Sequence, residues 1–187
     1  MVACENNLFI QVNDKKDYFI NIFKNNTKLF ESFIQCNGKM QECYGTDSDV
    51  YLEYVIFENT NDVINLIFFT HDTPCIEFCK RLAGKFSVNI QLYYYNEEHD
   101  FSGRFDIHQN QIVKNDFLSY WQGMYTYNYD IFWENINDLF KNERSEENFV
   151  NFMELLQNKK IHILEKDFQQ LKYQFDEFLL LKQFENL

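Results

Sequence analysis

Short runs of alternating apolar and polar residues recur in the first part of the chain, a pattern typical of β-strands that bury one face. The clearest run, Ser87–Tyr95, places Val88, Ile90, Leu92 and Tyr94 on one face and Ser87, Asn89, Gln91, Tyr93 and Tyr95 on the other. Aromatic and β-branched runs predict further strands at residues 7–12, 50–57 and 62–69, and "ENTN" predicts a turn between the last two. A later run alternates Phe101, Gly103, Phe105 and Ile107 with Ser102, Arg104, Asp106 and His108, so its charged residues are expected on the exposed side.

Apolar residues spaced three and four apart predict the helices. Asp14 caps a helical pattern that runs to about Gln35, with an apolar stripe of Tyr18, Ile22, Leu29, Phe30 and Phe33. Thr73 and Pro74 suit the N-cap and first turn of a short helix that Gly84 is expected to end. From Asp116 onward the pattern is helical, and its last segment carries a seam of Leu164, Phe168, Leu171, Phe175 and Phe178.

The element order β-α-β-β-α-β predicts an α+β protein with a ferredoxin-like antiparallel sheet, in which two helices cover one face. A further hairpin follows, as "HQNQ" turns the strand 101–108 into "IVK". We divide the chain into a ferredoxin-like domain at residues 1–115 and a helical extension at residues 116–187. Since no linker rich in Pro, Gly or Ser separates them, the extension is expected to pack on the sheet domain as one structural unit.

The charge of the chain restricts the partners that it can meet. Its 187 residues are 45% apolar and carry a net charge of −12, which opposes binding to nucleic acid or to an anionic membrane and favours a basic partner. The longest apolar runs, such as "LIFF" and "FLLL", are far shorter than the ~20 residues that a membrane helix needs. A soluble protein is therefore predicted.

Five cysteines are present: Cys4, Cys36, Cys43, Cys75 and Cys79. They form no CxxC pair, and the start "MVACENNLF" lacks the basic and apolar pattern of a secretion signal, so reduced thiols in the cytoplasm of a host cell are expected. His71, Cys75 and Cys79 could be imagined as metal ligands, but a fourth ligand is missing and buried cysteine is common, so a structural role is favoured. No cofactor or metal is predicted.

A cluster of titratable residues raises the possibility of catalysis. His99, Asp100, Asp106 and His108 lie close in sequence, and paired strands could bring a histidine beside a carboxylate. Such residues on the wet face of a hairpin are more often solvated, and no hydrolase, metalloprotease, P-loop or dinucleotide fingerprint occurs in the chain. The interpretation favoured here is a binding protein without catalytic residues.

The segment from about Asn61 to Lys114 shares several features with a known family. A strand is followed by Thr and Pro ahead of a short helix ending "LAGKF", then by a strand ending in Tyr, an acidic turn and "FSGR". In these features the segment resembles the YubB ferredoxin-like family of plasmid- and phage-borne proteins, although the family's Trp between strand and helix is replaced here by His71 and Asp72. The resemblance implies a ferredoxin-like fold and a mobile-element setting, and it implies no catalytic residues.

Acidic and aromatic residues supply the candidate partner-binding site. Between Met40 and Cys79 the chain has no Lys or Arg and eight carboxylates. Together with the acidic turn after Tyr95 and the tyrosines of the helical part, these give the predicted set Asp47, Asp49, Glu53, Glu58, Asp62, Glu97, Glu98, Asp100, Tyr125, Tyr127 and Tyr129. A solvated acidic face is the alternative interpretation of the carboxylates.

The predicted function is that of an acidic, non-catalytic inhibitor that binds a basic nucleic-acid-handling protein, such as an effector or nuclease. An anti-CRISPR, anti-restriction or immunity-type role fits the acidity together with the mobile-element resemblance. Two alternatives stay open: a small metal- or nucleotide-using enzyme centred on the His99/His108 hairpin, and a structural homodimer through the C-terminal helix.

Overall fold

The computed structural model describes residues 3–60, 62–132, 134–135, 149–159, 161–164, 167–169 and 172–173. The chain divides into two compact units, Met1–Tyr120 and Trp121–Leu187. Among the described residues, no helix combines the length and the apolar character needed to cross a membrane.

The first unit contains a six-stranded antiparallel sheet. Its strands are β1 (Ala3–Gln11), β2 (Ile56–Thr60), β3 (Val63–His71), β4 (Asn89–Asn96), β5 (Phe101–His108) and β6 (Gln111–Leu118). They lie in the order β2-β3-β1-β4-β5-β6. The first four strands follow the order expected of a ferredoxin-like arrangement, and β5 and β6 add the further hairpin, so the predicted α+β class is confirmed.

In the described part of this unit, four α-helices precede or connect the strands: α1 (Lys16–Asn25), α2 (Leu29–Phe33), α3 (Met40–Tyr44) and α4 (Ile76–Phe86). Alternate residues of the central strands, such as Leu8 and Leu66, share one hydrophobic core with Phe19 of α1 and Phe78 of α4. Because these strand residues all point to the same side, the helices cover one face of the sheet. The other face carries Gln91, Tyr93 and their neighbours, as the alternation predicts.

Several predicted boundaries are wrong. The helix predicted from Asp14 to Gln35 is broken between Asn25 and Leu29, and within it Phe19 is buried while Tyr18 is half exposed. Residues 52–54 form a turn of 3₁₀-helix, so only the end of the strand predicted at 50–57 belongs to β2. Helix α4 continues past Gly84 to Phe86. Strand β6 extends to Leu118, so the helical part begins at Tyr120 and not at Asp116.

The charged side of β5 is less exposed than its alternation suggests. Ser102 is fully buried, and Asp106 is 9% exposed. Asp106 is paired with a half-buried cation, because Arg104 donates from Nε to its two carboxylate oxygens at 3.0 and 2.9 Å. The arginine also lies 5.3 Å from the ring centre of Tyr93. Pairing and ring contact thus hold these charges against the sheet.

The prediction that all cysteines are reduced is wrong for one pair. Cys36 and Cys43 form a disulfide, with a Cα–Cα distance of 5.8 Å. The short helix α3 brings Cys43 back beside Cys36, which a linear spacing rule does not reveal. Cys4, Cys75 and Cys79 are buried free thiols.

The second unit contributes helical structure. Helix α5 (Tyr120–Tyr127) begins at the junction of the two units, and α6 (Phe149–Asn158) follows later in the chain. Tyr125 and Phe132 are buried within this unit, with ring centroids 5.3 Å apart. Most of the predicted final helix, with Leu171, Phe175 and Phe178 of its seam, lies outside the described residues.

Candidate partner-binding site

One end of the sheet gathers acidic residues from three separate segments. Both β3 and β4 run antiparallel to β1, so they finish at the same end: His71 lies opposite Ala3, and Tyr95 lies opposite Glu5. The loop at residues 45–49 and the turn at residues 97–100 reach this end as well. We call it the acidic end and define it by Asp47, Asp72, Glu97, Glu98 and Asp100.

Buried hydrogen bonds fix the backbone beneath the acidic end. The side chain of Asn6 donates to Thr70 Oγ1 at 2.8 Å and accepts from the backbone N–H of Cys75 at 3.2 Å, which ties β1 to β3 and to the start of α4. Thr73 Oγ1 donates to the Gly45 carbonyl at 2.7 Å and so attaches the 45–49 loop. Gly45 has a φ of 83° and its missing side chain would meet the Pro74 carbonyl at 3.1 Å, so a glycine is required there.

Two histidines lie among the carboxylates of the acidic end. His71 Nδ1 is 3.0 Å from Asp47 Oδ2 and 3.4 Å from Asp72 Oδ2. His99 Nε2 is 3.6 Å from Asp72 Oδ1. Asp72 therefore lies between the two rings, and its backbone is held by the side chain of Asn96, which donates to the Asp72 carbonyl at 3.0 Å.

The β4–β5 turn adds three exposed carboxylates to this set. Glu97, Glu98 and Asp100 are all exposed. The turn is fixed because Asn96 accepts from the His99 backbone N–H at 2.9 Å and the Glu97 carbonyl accepts from the Asp100 backbone N–H at 3.1 Å. A rigid turn can present these charges to a partner with little loss of conformational entropy.

The structure separates the other predicted carboxylates from the acidic end. Asp49 accepts from the backbone N–H groups of Phe30 and Glu31 at 2.8 and 2.9 Å, so it caps α2 from outside the helix. Glu53 and Glu58 are exposed along the β2 side of the sheet, and Asp62 lies at the opposite end of β3. The acidic stretch of the sequence is therefore not one continuous face.

The predicted tyrosines belong to the second unit. Tyr125 is buried and donates to the carboxylate of Asp167, while Tyr129 OH lies 3.4 Å from the same side chain. Burial and the bond to Asp167 raise the pKa of Tyr125 to about 12. Tyr127 is half-buried and Tyr129 is the exposed member of the three. Tyr125 thus has a structural role, and Tyr129 is the tyrosine best placed to meet another molecule.

The two histidines of the predicted hairpin site do not come together. His99 lies in the turn before β5 and His108 ends that strand, so the length of β5 separates them. His108 instead lines an open cleft of about 630 Å³ with Asp106, Phe9, Asn89 and Gln91. The carboxylate of Asp106 is already bonded to Arg104. His108 and Asp106 thus line one cleft, while His99 lies at the other end of β5.

The imagined metal site is not formed either. Cys75 and Cys79 are buried, and burial raises the pKa of the Cys75 thiol well above its usual range, whereas His71 is bonded to Asp47 at the surface. In the described part of the chain, no group of three or more His, Cys, Asp or Glu side chains could hold a metal ion.

Sequence reasoning missed Asp72 and the two histidines as members of the acidic end. Asp72 has a φ of 59°, a left-handed conformation that Asp tolerates better than most residues and that turns the chain between β3 and α4. The dipeptide His71–Asp72 at the end of an apolar strand was the available signal. Comparison with protein-family models, curated proteins and solved structures finds no match, so the resemblance to the YubB family stays a prediction.

Proposed function

We propose that this protein is an acidic, non-catalytic inhibitor that binds a basic nucleic-acid-handling protein through the acidic end of its sheet. The observation that carries the proposal is the convergence of Asp47, Asp72 and the 97–100 turn at one end of the fold. A basic groove shaped to hold nucleic acid would attract this surface at long range and would reject most neutral proteins. An anti-CRISPR, anti-restriction or immunity-type protein from a mobile element fits this description.

The overall charge supports the same class of partner. The net charge of −12 repels the phosphate backbone, so competition for the nucleic-acid site of a partner is favoured over binding the nucleic acid itself. The proposal places the protein in the cytoplasm of a host cell. Three buried free thiols suit that compartment, whereas the Cys36–Cys43 disulfide is uncommon there.

The experiment compares two pairs of charge reversals that change net charge equally. Glu97→Lys with Glu98→Lys alters the acidic end, and Glu53→Lys with Glu58→Lys alters the β2 side as the matched control. Asp49 is left unchanged because it caps α2. Wild-type protein used as bait in a host lysate should retain a basic protein that the first variant loses and the control keeps.

Association kinetics with the captured protein then test the mechanism. The Glu97/Glu98 variant should associate at least about tenfold more slowly and with a weaker salt dependence, because steering depends on opposing charge and is screened over about 8 Å at physiological salt. Equal losses from both variants would leave net charge as the cause and would refute the site. Unchanged binding by both would refute the proposal and leave the carboxylates as a solvated surface.

A further inference from the structure

The last strand of the sheet has an exposed apolar edge. Ile112, Val113 and Phe117 of β6 are 53, 61 and 72% exposed. Among the described residues, β6 is an edge strand of the sheet and pairs with β5. A long apolar edge strand is a template for pairing with another strand, and proteins that stay monomeric usually protect such an edge.

The position of one carbonyl shows which residues of β6 face outward. The Asp116 carbonyl accepts from Tyr94 OH at 2.9 Å and lies 2.2 Å from the place that a Cβ on Gly103 would occupy, so it faces β5. The N–H and C=O of one residue lie on the same side of a strand, and the side alternates from residue to residue. The backbone groups of Asn115 and Phe117 therefore face the outer edge.

We propose that β6 pairs with β6 of a second copy of this chain, antiparallel, about a two-fold axis at Asn115. In this register Asn115 of each copy exchanges both backbone hydrogen bonds with Asn115 of the other. Lys114 of each copy then lies opposite Asp116 of the other, at a pair without backbone hydrogen bonds, where cross-strand side chains approach most closely. Beyond these pairs, Phe117 of each copy lies beside Val113 of the other, at the irregularity of β6 where the regular ladder ends.

The charges of β6 select this register over its neighbours. In an antiparallel pair, backbone hydrogen bonds form only between residues whose N–H and C=O groups both face the shared edge. The two neighbouring registers that satisfy this condition have their two-fold axis at Lys114 or at Asp116. A centre at Lys114 places two lysines opposite each other, and a centre at Asp116 places two aspartates opposite each other. Like charges directly opposite are unfavourable, whereas the centre at Asn115 gives two pairs of opposite charge.

Within one chain, Lys114 and Asp116 already contact each other, since Lys114 Nζ lies 2.9 Å from Asp116 Oδ2. Both side chains are therefore on one face of β6, and in the dimer the four charges would alternate across the new strand pair. A register irregularity between Asp106 and Ile107 bends the edge near Val113, so the regular ladder comprises residues 114–118. The bend limits how far pairing extends and disfavours open-ended sheet growth.

Sedimentation equilibrium at about 150 mM salt tests the proposal. The wild-type chain should form a concentration-dependent dimer, and Lys114→Asp should weaken it at least about tenfold by placing aspartates opposite each other. The double variant Lys114→Asp with Asp116→Lys exchanges the two charges across the dimer and should restore it. Because the new charges also lie opposite Asp106 and Arg104 of β5, the double variant is compared by circular dichroism with the wild type, and only a natively folded variant is scored. A dimer that Lys114→Asp leaves unchanged, or that the double variant fails to restore, would refute this register.

A backbone variant keeps the test independent of charge. Asn115→Pro removes an N–H that faces the outer edge and so leaves the ladder to β5 intact, and proline is tolerated in edge strands with this orientation. We expect it to abolish the dimer while circular dichroism remains that of the wild type. A wild-type chain that is monomeric up to its solubility limit, or a dimer that survives Asn115→Pro, would overturn the proposal.

Discussion

At Gly103 the sheet depends on the absence of a side chain. The ring of Tyr94 crosses β5 at this residue to donate its hydroxyl to the Asp116 carbonyl of β6. A Cβ on Gly103 would lie 2.4 Å from Tyr94 Cζ and 2.2 Å from that carbonyl oxygen. Both distances are shorter than any real carbon contact, so a side chain here requires the two strands to move.

We therefore expect Gly103→Ala to lower the free energy of unfolding by about 3 kcal/mol, because a close-packed interior accommodates an added methyl group poorly. Urea denaturation followed by circular dichroism measures the change. Gly84→Ala is the matched control, since Gly84 is exposed in α4 and a Cβ there meets nothing within 4 Å. It should stabilise the protein by up to about 1 kcal/mol through helix propensity. Equal effects from both substitutions would contradict the packing argument.

Single-residue roles were also the part of the structure that the sequence predicted least well. In the sequence Asp49 looks like one more carboxylate of an acidic stretch. In the structure it caps α2 by accepting from Phe30, nineteen residues earlier, and no local spacing in the sequence connects the two residues. Periodicity placed Tyr18 in the apolar stripe of the first helix, but the adjacent Phe19 is the residue that enters the core. Both outcomes depend on tertiary contacts between distant segments.

At the scale of elements, alternation predicted the strands that lie in the middle of the sheet. The run 87–95 predicted β4 with Ile90, Leu92 and Tyr94 on its buried face, because a strand with one buried face must alternate, whereas Tyr95, predicted on the exposed face, is buried. The run 50–57 failed since Val50 and Tyr51 contact residues 28–29, and β2 begins only at Ile56. "ENTN" has the composition of a turn, yet Glu58, Asn59 and Thr60 pair with β3, so pairing outweighed turn propensity.

The Cys36–Cys43 disulfide should stabilise the α2–α3 connection. Thiol titration of the denatured, unreduced protein should find three thiols per chain, those of Cys4, Cys75 and Cys79. Replacing both bonded cysteines by serine should lower the free energy of unfolding by about 2–3 kcal/mol, since the bond closes a loop with a sequence separation of 7. Five titratable thiols, or an unaltered urea midpoint in the double variant, would contradict this prediction.

At the scale of the whole molecule, the element order was enough to predict the class of fold. The order β-α-β-β-α-β leaves few antiparallel arrangements with helices on one face, and the structure has an antiparallel sheet in which the first four strands lie in the order β2-β3-β1-β4. The acidic end was predictable only in part. The sequence gathers Glu97, Glu98 and Asp100 in one turn, whereas their proximity to Asp72 and Asp47 depends on where β3 and β4 end.

Burial of a thiol and a phenol, which ionise at high pH, should make the protein less stable in alkaline solution. Burial, together with the nearby Cys75, raises the pKa of Cys4 from 9.0 to about 12, and burial raises that of Tyr94 from 10.0 to about 12. In the unfolded chain these groups lose their protons at the lower values. Between pH 9 and 12 the unfolded state therefore binds fewer protons than the folded state, and the free energy of unfolding falls as pH rises.

The expected slope is about 1.4 kcal/mol per pH unit for each such group, measured by urea denaturation at a series of pH values. Below pH 9 the contribution of Cys4 is fully present, so stability should show no dependence on this group there. Cys4→Ala removes one titrating group with a small change in packing. Between pH 9 and 12 it should reduce the slope of the free energy of unfolding against pH by about 1.4 kcal/mol per pH unit, and near pH 7 it should leave that slope unchanged. An alkaline slope that Cys4→Ala does not alter would show that the buried thiol ionises in the folded state as readily as in the unfolded chain, against the burial seen at β1.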